Sequence, residues 1–443
     1  MAAAVPYPTP ERALPAIDER SFVTRVVHVA RKGILAVADQ SLFSGANFIV
    51  NILLARWLSA NEYGAYSLAL AVFLLFSALH SAILIEPMMV FGSSKYSAGF
   101  ARYLAVLLNG HFLIMIPGCA ILYVVALALR RFYSSQAWTA FLGVAFAASA
   151  ILLFWLVRRV FYVLLQPSWG VLSGALYLVF LLSAVFALQR TNHLSPTSAF
   201  LAMGAAGLLA SFVLLLRFVP AWRLAPAGPR LQEAAVQHWR YGRWAMASAV
   251  IGWFPGHVYY ALLPAWLGLE GAAGLRALMN FVSPVLQAIS ALTMLLLPML
   301  VRDRHAGGAR RMNRTLLLFL TIFCAGSAIY LLGLWMFRDS IFQTFYGGKY
   351  SQYAGWPLFL TGLLPLGTCA SAVLGNALRA LERPDSIFWC YAGSVIGAVA
   401  VGIPLSALMG VTGALAGLLA SSLITVMMMS WLYKKSLQEA GSA

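Results

Sequence analysis

Two carboxylates in this chain, Asp39 and Glu86, fall inside long apolar runs. A charged or polar group at membrane depth is costly unless something satisfies it, so each is a candidate site. Both acids lie about one and a half helical turns from the same end of their runs, so antiparallel helices bring them to similar depth. Two acids there suit a cation or a proton, or the basic group of a substrate. The alternative is an interfacial salt bridge with Arg31, Lys32, Lys95 or Arg158.

Arginine is the natural partner of phosphate, because its planar fork meets two oxygens at once. Arg276 follows Gly271-Ala272-Ala273-Gly274-Leu275, at the start of an apolar run or one turn inside it, and Arg56 closes an earlier run. Each either contacts phosphate in a cavity or snorkels to the headgroups. Near mid-depth stand Asn47, Asn51, His80, His257 and Gln287, with Asn280 nearer a run's end. Trp253, Pro255, His257, Tyr259 and Tyr260 cluster within about two turns, and Pro255 removes one backbone hydrogen bond. An aromatic, amide and imidazole wall suits sugars, which offer hydroxyls to bond and apolar faces to stack. Hydrogen bonding between packed helices is the competing use of the same side chains. The substrate-binding candidates are Arg276, Arg56, His257, Trp253, Tyr260, Asn280, Gln287 and Asn47.

Catalytic signatures are missing: the sequence holds no HExxH, GxSxG, P-loop or CxxC motif. Cys119, Cys324, Cys369 and Cys390 all lie in apolar runs without metal spacing and read as small packing residues. No cofactor or metal is expected, and the chain does not read as an enzyme.

The elements that must position these residues follow from composition. Of 443 residues, 62% are hydrophobic and 10% charged, with mean hydropathy +0.83. A soluble domain carries about a quarter charged residues. A run of roughly 20 apolar residues matches the hydrocarbon thickness when wound as a helix. The runs are continuous rather than alternating, so helices and not a barrel span the bilayer. Spans one to six are expected at 34–57, 65–91, 103–129, 137–156, 169–188 and 198–216. Spans seven to twelve are expected at 244–267, 277–300, 315–336, 356–378, 387–408 and 412–433. The first 33 residues are polar and lack the early apolar core of a signal peptide.

The formal charge of +17 is a topology signal rather than a nucleic-acid footprint. With the N-terminus inside, 23 of the 30 Lys and Arg residues fall on the inner face and 7 on the outer. Both termini are expected in the cytoplasm. The longest polar break, 217–243, holds Pro220, Pro226, Gly228 and Pro229, then a short helical stretch with Trp239 and Tyr241. The expected organisation is a tail at 1–33, a six-helix lobe at 34–218, a cytoplasmic linker at 219–243, a second six-helix lobe at 244–433 and a tail at 434–443. Trp57-Leu58 followed by Gly64 matches Trp266-Leu267 followed by Gly274, each at the first connection of its half. Both halves enter from the inside, so the pseudo-repeat is parallel.

Several short motifs carry a resemblance. Asp39-Gln40-Ser41-Leu42 through Asn47, Leu53-Leu54-Ala55-Arg56-Trp57-Leu58 and Glu62-Tyr63-Gly64 resemble the start of polysaccharide-biosynthesis flippases. Gly274-Leu275-Arg276-Ala277, Phe345-Tyr346-Gly347-Gly348-Lys349-Tyr350 and Asn376-Ala377-Leu378-Arg379-Ala380-Leu381 extend it. The chain is thus similar to the O-antigen (Wzx-type) flippase family of the multidrug/oligosaccharidyl-lipid/polysaccharide exporter (MOP) superfamily. Twelve spans fit that branch better than the peptidoglycan-precursor branch, which has fourteen. The resemblance implies an all-α polytopic protein whose two six-helix lobes form a V around a central cavity, with alternating access. It implies a polyprenyl-diphosphate-linked oligosaccharide as substrate, flipped from cytoplasmic to periplasmic leaflet of the bacterial inner membrane for O-antigen, capsule or exopolysaccharide assembly. It further implies membrane lipids and other polysaccharide-assembly proteins as partners, Arg276 and Arg56 as diphosphate contacts, and a first-span acid, matched by Asp39, as a coupling site. A cation-coupled small-molecule exporter on the same fold remains open, as does a membrane glycan polymerase or ligase using Arg338 or Asp339.

Overall fold

In hydrocarbon each backbone N–H and C=O must find a partner within its own segment, and long apolar runs answer by winding into helices. The computed structural model describes residues 19–132, 135–219, 229–381 and 383–441. Residues 1–18 and 442–443 of the expected tails, 220–228 of the expected linker, and the side chains of Arg31 and Lys32 lie outside that description. Among the described residues every regular element is helical.

Span one lies in Glu19–Trp57. Span two is Ala60–His80, a π-helical turn at Ser81–Ile85, and Glu86–Ser93. Spans three to six are Phe100–Phe132, Ser135–Val163, Pro167–Arg190 and Pro196–Leu216. Span seven belongs to one 37-residue helix, Leu231–Leu267, which runs through Pro255 and Pro264. The Trp239–Tyr241 stretch is therefore the start of that helix rather than a separate short one. Leu269–Met336 holds spans eight and nine, Trp356–Ala380 is span ten, and Pro384–Gly397 with Ile403–Gly441 holds spans eleven and twelve.

Ten helical stretches among the described residues are long and apolar enough to cross a bilayer. One of the ten, Ser386–Glu439, is two antiparallel helices that reverse at Gly410, φ +57°. Gly402 faces Gly417 and Gly397 faces Ser421, as a hairpin about that point demands. Span seven is absent from the ten because Trp, Tyr, His, Gly and Pro lower the mean hydropathy of its run. Spans eight and nine reverse at Gly307–Gly308, where φ of Gly308 is +63°. Asp303 closes that turn, accepting from Arg311 Nε at 2.9 Å and Thr315 Oγ1 at 2.6 Å.

Sharp punctuation starts span two. Ser59 caps it, and Glu62 Oε2 accepts from the Ser59 N–H at 2.9 Å, closing a capping box. The apolar run had suggested a start at residue 65; the cap sets it at Ala60.

The same helix pairings recur in each half. In the first, span one packs on five, two on four, and four on six; in the second, seven packs on eleven, ten on eight and nine, and ten on twelve. Small residues let backbones approach: a Cβ at Gly143 would lie 2.8 Å from Thr197 Cα, and one at Gly204 3.2 Å from the Ala147 Cβ. Part of the first lobe and the inter-lobe contact share one core rich in Ala, Tyr and Phe, a second first-lobe cluster surrounds Tyr103, Leu156 and Phe161, and the second lobe has its own around Leu296, Cys369 and Val373.

Two seams join the lobes. Spans two and seven meet along their length. Trp253 Nε1 donates to Ala71 O at 3.0 Å, Gly242 abuts Ala82, and His238 Nδ1 bonds the π-turn carbonyl of Ile83 at 2.7 Å. Span eight meets span two, and to a lesser extent span one, at the end of the bundle that carries Trp57, opposite the end that carries Glu19 and Gly441. There Gly64 touches Leu269, where a Cβ would lie 1.9 Å from the carbonyl oxygen.

Candidate functional site

Between the lobes lies a cavity of about 560 Å³ walled by spans one, two, four, six and eight. Along span one it runs from Gln40 to Asn51, about 16 Å at helical rise. Its amide and hydroxyl lining is Gln40, Ser41, Ser44, Asn47, Asn51, Asn280, Ser283 and Gln287; its aromatic lining is Phe43, Phe48, Tyr66, Phe73 and Trp155. Arg276 is the one charged side chain among the lining residues.

Arg276 sits about two turns inside the helix that begins at Leu269, deeper than the sequence suggested, because that helix starts eight residues before the apolar run. Its Nε and Nη2 donate to Asn51 Oδ1 at 3.1 and 3.0 Å, joining lobe to lobe at the Trp57 end of the cavity. Asn51 is itself aimed by its Nδ2, which donates to Asn47 O at 2.8 Å. Asn280 donates to the hydroxyls of Tyr63 at 2.9 Å and Tyr346 at 3.4 Å. Near the opposite end Gln40 Nε2 reaches Gln287 Oε1 at 3.5 Å and Ser44 Oγ at 3.0 Å.

Four of the eight expected binding residues, Arg276, Asn280, Gln287 and Asn47, therefore meet in one cavity. The other four stand elsewhere. Arg56 donates to Thr344 O at 2.9 Å on the exposed rim. The Trp253–Tyr260 cluster divides among three neighbours, since each residue along a helix turns about 100° from the last. Trp253 bonds span two, and the His257 ring stacks on Trp253 at 5.3 Å with Nδ1 against Trp253 O at 3.0 Å. Tyr259 packs against Gly402 and Gly417, and Tyr260 is buried beside the Arg276 guanidinium.

The two acids do not meet each other. Asp39 is fully buried outside the cavity lining, with both oxygens on Arg158: Oδ1 accepts from Nε at 2.9 Å and Oδ2 lies 2.8 Å from Nη2. Tyr162 also donates to Oδ2, and Gly170 and Gly174 leave room for the carboxylate. Of the two readings of Asp39, the geometry displays the salt bridge with Arg158. Arg158 also covers the Phe43 ring at 4.5 Å and donates to Gln40 Oε1 at 3.1 Å, so the pair touches the cavity wall through Gln40. Glu86 is exposed at the exit of the π-turn and does not line the cavity.

Cavity residues without a signal in the candidate set include Gln40, Phe43, Ser44, Tyr66, Trp155 and Ser283. Gln40 neighbours Asp39 within a singled-out motif, but nothing in one sequence marks Trp155 or Ser283 as cavity residues. Asn51, a mid-depth amide by sequence, proves to be the partner of Arg276. Outside the cavity, His80 Nε2 pairs with His111 Nδ1 at 2.9 Å, a contact with no sequence signal.

At the end carrying the termini, Lys95 Nζ donates to Glu233 at 3.1 Å, between the close of span two and the helix that leads into span seven. That hydrogen bond holds the Glu233 carboxyl below its ordinary range and the Lys95 ammonium above its own.

No family model matches the chain, and no curated protein sequence matches it. Solved structures do. An inward-facing multidrug resistance MATE family transporter of the MOP superfamily superposes with a TM-score of 0.76 at 10% identity, over 93% of this chain and 99% of that one. The lipid II flippase MurJ, in an inward closed conformation, superposes with a TM-score of 0.69 at 13% identity, over 94% of this chain and 89% of that one. A MOP superfamily transporter from Pyrococcus furiosus gives a TM-score of 0.65 at 12% identity, over 93% and 95%. A two-lobed helical bundle with a cavity between its halves, aligned end to end with these proteins, has the fold of the MOP-superfamily transporters.

Proposed function

We propose that the chain is an alternating-access flippase for an anionic lipid-linked saccharide. The observation that carries this reading is the cavity itself. Its lining offers one guanidinium, a row of amides and hydroxyls, several aromatic faces and no carboxylate. A diphosphate fits Arg276, whose fork already holds a carbonyl oxygen of Asn51. Sugars fit the wall from Asn47 to Gln40 and Gln287, where hydroxyls find amides and ring faces find Phe43, Tyr66 or Trp155. A diphosphate with several sugars does not cross hydrocarbon unaided, because desolvating charge and hydroxyls costs too much. A polar cavity carries the head while a polyprenyl tail stays in lipid.

The distribution of Lys and Arg supports an orientation with the termini in the cytoplasm and the Trp57 end facing the periplasm. The substrate we favour is a polyprenyl-diphosphate-linked repeat unit of O-antigen, capsule or exopolysaccharide, moved outward across a bacterial inner membrane. A cation-coupled exporter would need a free acid at the cavity. Asp39 is engaged by Arg158, which favours the flippase reading.

Deletion of the gene, followed by extraction of polyprenyl-linked intermediates and analysis of surface polysaccharide, tests this. Repeat units accumulating on the cytoplasmic leaflet while surface polymer disappears are the expected result. Normal arrival of those intermediates on the far leaflet overturns it.

A further inference from the structure

The motif at residues 345–350 has no place in the cavity, and the structure shows what it touches. The short helix Arg338–Tyr346 ends in Gly347, φ +62°, and Gly348, φ +81°, backbone shapes that side chains resist. That turn delivers Lys349 across the gap to the other lobe. There its ammonium donates to the carbonyls of Ala55 at 3.3 Å and Arg56 at 2.9 Å, in the last turn of span one where helix acceptors lack intrahelical partners, and of Leu58 just beyond it. A cation at a helix C-terminus is favoured by the backbone dipoles as well.

The contact is reciprocal. Arg56, in the last turn of span one, donates to Thr344 O in the last turn of Arg338–Tyr346. Each lobe thus supplies a cation that caps a helix of the other. Around this exchange Tyr350 packs tilted on Tyr63 with centroids 6.3 Å apart, and Tyr346 donates to Ala277 O at 2.8 Å.

We propose that residues 345–350, acting through Lys349 with Arg56 in return, are a clasp that holds the two lobes shut at the Trp57 end and must release for that end to open. The clasp rests on alternating access but not on the identity of the substrate.

The test is access to the cavity. In a protein whose four cysteines are replaced by alanine, Ser283→Cys reports from the cavity wall and Gln352→Cys marks the Trp57 face. A membrane-impermeant maleimide is applied to one face of sealed vesicles at a time. Lys349→Met is expected to speed Ser283→Cys labelling from the Trp57 face by about fivefold, the population shift that about 1 kcal/mol produces. Lys349→Arg keeps labelling slow, and Arg56→Gln gives a smaller acceleration. An unchanged rate in Lys349→Met, in protein of parental thermal stability, overturns the clasp. Where Lys349→Met does not accumulate, an unchanged rate in Arg56→Gln does the same. Labelling from neither face in any variant overturns alternating access and the clasp together.

Discussion

Arg276 and Asp39 show how two ionised side chains in one membrane protein come to opposite uses. Arg276 is held by a neutral amide, Asn51, and meets no carboxylate among the cavity lining. Asp39 is met on both oxygens by Arg158 and has none left over. The expected consequences differ. If Arg276 holds the diphosphate as proposed, Arg276→Ala removes charged hydrogen bonds worth about 1.5–3 kcal/mol, or roughly 10- to 100-fold in affinity. Binding of a pyrophosphate-containing lipid to the purified variant measures it. Asp39→Ala strands a buried guanidinium and is expected to cost about 3–5 kcal/mol of stability, whereas Asp39→Leu with Arg158→Met recovers most of it. Thermal unfolding of the single and double variants in detergent checks this, and a single variant as stable as the parent removes the structural role assigned to the pair.

Among elements, the informative positions are where helices end. Gly410 turns span eleven into span twelve at φ +57°, and an added Cβ would also meet Leu267 at 2.6 Å. Gly252 lies inside a helix with open space around it. Gly410→Ala is expected to destabilise by about 1–2 kcal/mol and Gly252→Ala to stabilise by about 0.5–1 kcal/mol, both read from unfolding midpoints. The Lys95–Glu233 pair that tethers span two to the approach of span seven carries a pH prediction. Glu233 is held below its ordinary range, so its contribution is complete above that range and lost as pH falls through the lowered value. Lys95 is held above its own range, so its share is complete below that range and lost only as pH rises through the raised value. The stability difference between parent and Glu233→Gln is therefore expected to be flat at neutral pH and to vanish in acid. A difference that persists in acid contradicts the assignment.

For the whole molecule, closure at the Trp57 end depends on close approach as well as on the clasp. Gly64 against Leu269 leaves no space for a methyl group, with a Cβ falling 1.9 Å from a carbonyl oxygen. Gly64→Ala is expected to hold the lobes apart there and raise labelling of a cavity cysteine from that face, as Lys349→Met does. Parental labelling in Gly64→Ala would mean that the seal lies elsewhere. Gly64 and Gly274, matched in the sequence as a repeat, sit at different contacts: Gly64 against Leu269 between lobes, Gly274 against Tyr353.

The helical bundle is written in the chain, because bilayer thickness and backbone satisfaction leave a long apolar run little choice but a helix. Its glycines and Ser59-Glu62 also fixed where several helices start and turn, since those signals act over a few residues. It pointed as well to Arg276, Asn280, Gln287 and Asn47 as polar groups in need of a purpose. Which neighbours each of them meets depends on the packed fold. Arg276 and Asn51 are 225 residues apart, and Arg158 lies 119 from Asp39. Which way a helix is rotated depends on everything packed around it, so Trp253 and His257 turned to a seam while Gln40 and Trp155 turned to the cavity.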